Sequence, residues 1–270
     1  MNTFVNLGLI SLNNRLHEID IILNEAKVNI DTDEQLYNTL CRSAQVLLSA
    51  HFEGYLKELV NNALEDINHY SCFRDANNEL KRRFCEYFIF QTKDESKGRE
   101  NHVRITELIG IFNNLDTKFK KEYFSSGENH NPKASVLDKI AAQFGIKDFF
   151  RQIKKSNLDL VFSNTNAENI EVCERIKNYL LSTTINYPYI TELKIFEIDV
   201  NKNDSDNLWD AFLSELLKRR HDIAHGKEIE NSVGHSVIES DKVKIEILGY
   251  AFTAFICEKA NPVVLTELVE

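Results

Sequence analysis

The stretch Lys218-Arg219-Arg220-His221-Asp222-Ile223-Ala224-His225-Gly226-Lys227 concentrates more ionisable groups than its surroundings. It begins where an apolar stripe at helical spacing (Leu208, Phe212, Leu213, Leu216, Leu217) comes to an end. Asp204-Ser205-Asp206 stands before that stripe as its cap. The stretch is therefore the end of a helix, and Gly226 suits a helix C-terminus. At about 100° per residue, Arg220 and His225 lie about 140° apart, so a straight helix aims them at different points. A bend near His225-Gly226, or the reach of arginine, brings them together.

The pair suffices for cleaving RNA through its ribose. Histidine, with an ordinary pKa of about 6.5, can take a proton from a 2′-OH or give one to a leaving 5′-oxygen near neutral pH. Arginine offers planar, bidentate donors to a phosphate and to charge building on it. Neither role needs a metal, and no cofactor is implied. Two such pairs facing each other across a dimer supply base and acid from different subunits.

Other chemistries compete for the same residues. His221 and His225 form an i, i+4 pair, as in the His-Glu-x-x-His zinc motif. Here Asp222 replaces the glutamate and is shorter, and no third ligand stands at a recognisable spacing. His221-Asp222 also resembles the dyad of the helical HD phosphohydrolases, which need an earlier His (His51 or His102) and a later Asp (Asp241). The simplest alternative is a basic helix end opposing the negative end of the helix dipole. It accounts for Lys218, Arg219 and Arg220 alike and is the preferred reading of Arg219. Lys218, Arg219 and Lys227 are secondary candidates for contact with RNA phosphate.

Outward from this stretch the chain reads as all-α. Only 3 prolines and 9 glycines occur in 270 residues, whereas sheet-rich folds need a turn every ~8–12 residues. Apolar residues at three- and four-residue spacing give helices over Phe4–Lys27 and Glu34–His69, the second capped by Asp31 or Asp33 and open to a kink near Gly54. Shorter helices are expected over Asn77–Phe90, Val103–Leu115, Thr117–Phe124, Ala134–Phe144, Ile146–Lys154 and Asn169–Leu181. Lys93–Asn101 and Ser125–Lys133 read as loops, and Ile190–Val200 alternates like a short strand. A loop over Asn231–Ser240 precedes a last helix over Asp241–Lys259. The expected architecture is one domain over residues 1–270: a helical bundle from about 1–70 and 205–262, with a mainly helical insertion at about 71–204.

Composition narrows the function classes. Hydrophobic residues at 43% and charged residues at 27% are those of a globular protein. A net charge of −10 argues against non-specific coating of nucleic acid, while leaving room for a local basic cleft. Lys81-Arg82-Arg83 and Lys118, Lys120 and Lys121 could guide an RNA backbone, but solvated helix faces are the plainer reading. Cys41, Cys72, Cys85, Cys173 and Cys257 are scattered without a Cys-x-x-Cys pair. They read as small buried residues in a reducing cytoplasm, with neither a disulfide framework nor a cysteine zinc site. No signal sequence or membrane span is expected.

Arg220, the polar His221 and His225 in an all-helical chain resemble the signature of the HEPN superfamily. Arg-His-Asp-Ile-Ala-His-Gly is similar above all to bacterial branches found beside restriction, toxin and other defence systems. A second element, Ser49-Ala50-His51-Phe52-Glu53-Gly54-Tyr55-Leu56, resembles the aromatic-Glu-Gly element of those branches. The resemblance covers about Leu36–Leu64 and Asp206–Ala260. It implies a helical bundle, a homodimer and an endoribonuclease that leaves a 2′,3′-cyclic phosphate, acting as a toxin or phage-defence effector with an antitoxin or defence-system partner. By the same resemblance Arg220 binds phosphate, His225 is the acid-base group, His221 orients or assists it, and Glu53 and His51 are auxiliary. The superfamily also contains modules that bind a nucleotide or a protein without cleaving RNA.

Overall fold

The computed structural model describes residues 2–89, 99–115, 117–124, 131–199, 208–226 and 233–263. Among these, the elements are helices α1 (Phe4–Asn29), α2 (Glu34–Tyr70), α3 (Asn78–Ile89), α4 (Arg99–Phe112), α5 (Ala134–Gln143), α6 (Phe149–Lys154), α7 (Asn166–Thr183), α8 (Leu208–Ala224) and α9 (His235–Ala260), with short 3₁₀ turns between them. The all-α expectation holds.

α1 and α2 form a hairpin whose apolar stripes close on each other. Leu9, Leu12, Leu16, Ile19 and Leu23 of α1 are buried, as are Leu48, Phe52, Tyr55, Leu59 and Leu64 of α2. Side chains start both helices: Thr3 accepts from the Asn6 N–H, and Asp33 accepts from the Leu36 N–H at 2.9 Å. Such caps satisfy amides that a first helical turn leaves open. The second half of α9 is apolar nearly all round, with Tyr250 to Cys257 buried without a break. That pattern marks a helix enclosed by others. α9 packs against α2, α7 and α1, while α8 lies on α2.

Several details depart from the sequence reading. α2 continues through Gly54 without a break. A Cβ there would stand 3.2 Å from the Arg15 guanidinium, which pairs with Glu58 at 2.6 Å, so the glycine makes room for a neighbour. Ile190–Val200 is not a strand over its described part. It carries a 3₁₀ turn at Leu193–Phe196 and is tied by its backbone to Thr183 and Lys155. Thr191 and Phe196 face inward, whereas Ile190 is exposed. Thr117–Phe124 forms only a 3₁₀ turn, because the Asn68 side chain takes both the N–H and the C=O of Phe119 at 2.8 Å. α9 starts at His235 rather than Asp241, with Gly234 as its cap. The bundle also draws in α7 from the segment read as an insertion: Cys173, Ile176 and Leu180 are buried, and the helix packs on α9 and α1. The proposed cap at Asp204-Ser205-Asp206, most of the loop at 93–101 and residues 125–130 lie outside the described residues.

Cys41, Cys85, Cys173 and Cys257 are buried and Cys72 is half-buried, all as free thiols. Among the described residues, no helix is long and apolar enough to cross a membrane.

One buried carboxylate ties three segments together. Asp66 of α2 accepts from the Phe4 and Val5 N–H groups at 2.8 and 2.9 Å and from the Tyr189 hydroxyl at 2.7 Å. Burial pushes its pKa up, while these donors pull it down. Its charge sits at the positive end of the α1 dipole. Asp66→Ala leaves the buried Val5 amide and Tyr189 hydroxyl without their acceptor, so thermal unfolding should move down by roughly 5–10 °C, which calorimetry can check.

Candidate active site at the end of helix α8

Three successive residues near the end of α8 face three ways, as a step of about 100° per residue requires. Arg219 points inward. Its Nη2 donates to the buried Asp241 of α9 at 2.6 Å, and its Nε lies 3.7 Å from Glu215, beyond hydrogen-bond length. Burial raises the Asp241 carboxyl from its ordinary value, and the Arg219 charge pulls it back down. Arg219 is thereby corrected from a secondary RNA contact to a bolt between α8 and α9. A lone Asp among Ile238, Ile245 and Leu248 was the signal for a buried cationic partner.

Arg220 turns toward α2 and the segment before α5. Its Nη1 donates to Asn131 Oδ1 at 2.8 Å and stands 3.7 Å from Glu53 Oε2. Glu53 in turn receives Lys57 at 2.8 Å. The aromatic-Glu-Gly element thus addresses three neighbours in succession. Phe52 is wholly buried and, with Tyr55, lies beside Gly249 of α9; Glu53 meets Arg220, and Gly54 admits Arg15.

His221 and His225 occupy the third direction. Both are exposed, with ring centroids 4.2 Å apart at 50°. The helical path persists to the end, since the His225 N–H still donates to the His221 carbonyl at 3.0 Å. Gly226 then stops it with φ +65°, the left-handed conformation that glycine adopts at little cost. The expected bend therefore falls after His225, not between it and Arg220. Within one chain the contacts among described residues join Arg220 to Glu53 and Asn131, and His225 to His221, in two adjacent groups.

The remaining candidates divide. Lys218 is exposed beside the site. Lys227 lies outside the described residues. His51 is not part of the cluster: it is two residues from Glu53 on α2, so it turns toward α1. There its Nε2 sits 3.2 Å from Glu18 without the alignment of a hydrogen bond. Of the basic clusters, Lys81 is buried and donates to the Arg74 carbonyl, Arg82 and Arg83 pair with Glu86, and Lys118 donates to the Asn68 carbonyl at 2.7 Å. Among the described residues, no group of three or more His, Cys, Asp or Glu side chains gathers as a metal site would require. Asp241, the later Asp of the HD reading, is taken by Arg219. Asn131 was missed, because a single Asn in a polar loop has no periodicity to betray it.

Residues 10–258 match the model of the family described as RiboL-PSP-HEPN. The chain belongs to that family, within the HEPN superfamily. No curated protein and no solved structure matches it. In this HEPN chain Arg220 and His225 stand at the end of α8, next to the Arg219 that ties the helix to α9.

Removing that bolt should act on stability and depend on pH. In Arg219→Ala the buried Asp241 loses its counter-charge, which should cost about 3 kcal/mol at pH 7. Asp241 with a raised pKa binds a proton more readily folded than unfolded. Its penalty is therefore full above the raised folded pKa and fades as pH falls toward the ordinary carboxylate value of about 4. Denaturant unfolding should show a smaller difference between variant and parent at pH 4 than at pH 7.

Proposed function

We propose that this HEPN chain is a metal-independent endoribonuclease that works as a homodimer on RNA in the cytoplasm, as a toxin or phage-defence effector. The observation that carries the reading is the grouping at the end of α8: a half-exposed guanidinium held by its neighbours beside two exposed imidazoles. Membership in a superfamily of nuclease-type modules supports it.

In this mechanism Arg220 binds the scissile phosphate and stabilises the charge that builds on its oxygens. His225 takes the proton of the 2′-OH as that oxygen attacks phosphorus. The bond to the 5′-oxygen breaks, and the partner's His225 returns a proton to the leaving group. The products are a 2′,3′-cyclic phosphate and a 5′-OH. His221, whose ring lies against that of His225, limits the orientations open to it. The separation of Arg220 from His225 within one chain favours a site assembled from two subunits. A shallow groove of about 460 Å³ between Ile223 and α2, with Val46 and Leu47 on its wall, offers a surface for the second copy. An antitoxin or defence-system protein is the expected further partner.

The test uses purified full-length chain and a fluorescent single-stranded RNA in EDTA. The parent should cleave, and His225→Ala and Arg220→Ala should each lose about 10²–10³-fold in rate at unchanged stability. An intact RNA in EDTA, with cleavage appearing only on adding a divalent metal, would move the chemistry to a metal pair at His221 and His225.

A further inference from the structure

We propose that the turn before α5 completes the site, with Asn131 as a positioning residue that clamps one edge of the Arg220 guanidinium so that the other edge faces the phosphate. This rests on the ribonuclease reading for its consequence, and on geometry alone for the clamp itself.

The two contacts of Arg220 among the described residues fall on the same nitrogen. Nη1 donates to Asn131 Oδ1 at 2.8 Å and lies 3.7 Å from Glu53 Oε2. A guanidinium is a rigid fork with five N–H groups. Asn131 holds Nη1 by a directed hydrogen bond, and Glu53 adds a negative charge beside the same nitrogen. Among the described residues no contact falls on the Nε–Nη2 edge, which is the bidentate face that fits a phosphate. Glu53 alone, at 3.7 Å, supplies charge without direction, because a contact of that length is not a hydrogen bond. Asn131 supplies the direction.

Asn131 is itself held, although its surface is exposed. Pro132 is buried, and a proline confines the residue before it to extended backbone. The Lys133 N–H donates to the Asn131 carbonyl at 2.7 Å, closing a tight turn. Directly after it α5 begins, anchored by the buried Ala134, Leu137 and Ala141 and packed against α8 and α9. The amide oxygen that meets Arg220 is therefore positioned by the same core that positions α8.

The experiment compares the full-length parent with Asn131→Ala and Asn131→Asp, the latter keeping an acceptor oxygen in place. On single-stranded RNA in EDTA, N131A should lower kcat about tenfold with KM within about twofold, at an unchanged unfolding midpoint. N131D should recover kcat to within about threefold of the parent. A lower KM at unchanged kcat would overturn the proposal, because Asn131 would then compete with phosphate for Arg220. Unchanged kcat and KM would overturn it too, and would leave the ribonuclease reading standing if the parent cleaves. A readout free of cleavage is the arginine Nε–H NMR signal of Arg220, assigned by its loss in R220A. It should be sharp and distinct in the parent and N131D, and exchange-broadened in N131A. The same signal in parent and N131A would overturn the clamp, whether or not the chain cleaves RNA.

Discussion

The buried pair of Arg219 and Asp241 sets the rotation of α8, and the candidate site follows from that rotation. With Arg219 fixed inward on α9 at 2.6 Å, the helical step carries Arg220 toward α2 and Asn131, and His221 and His225 to the surface. Turning α8 by one residue would bury Arg220 and expose Arg219. A buried ion pair contributes little net stability compared with an apolar contact of equal size, but it tolerates misalignment poorly. Here that intolerance fixes which of two adjacent arginines is available for chemistry.

The frame that receives this helix is built from unlike parts. The α1–α2 hairpin presents a continuous apolar seam, and α9 fills the centre with side chains on nearly every face. At the opposite end of α2, Asp66 gathers the start of α1 and Tyr189. α2 thus joins a structural carboxylate, Asp66, to one beside the site, Glu53, on one uninterrupted helix. Local movement at either is resisted by the whole helix.

Much of this was legible in the sequence where residues repeat with helical period. The stripes of α1, α2 and α8 are strong because each helix buries one face only. Arg220, His225 and Glu53 were legible as a resemblance, and the structure adds why Phe52, Glu53 and Gly54 occur in that order. Other features had no local signature. The first turns of α9, from His235 to Ser240, bury only Ile238, so periodicity could not place its start at His235. The unwound turn at Phe119 depends on the distant side chain of Asn68, and Arg219 depends on Asp241 across the core. Asn131 reaches Arg220 only through the packing of α5. Such long-range choices are made by tertiary contact, not by propensity.

The ends of the cleaved RNA report most directly on which oxygen attacks the phosphorus. Phosphorus-31 NMR of the products formed in EDTA should show a 2′,3′-cyclic phosphate, as attack by the neighbouring 2′-OH requires. A 5′-phosphate product, or no product until metal is added, would mean that water activated by a metal does the cutting, and would rule out attack by the 2′-OH.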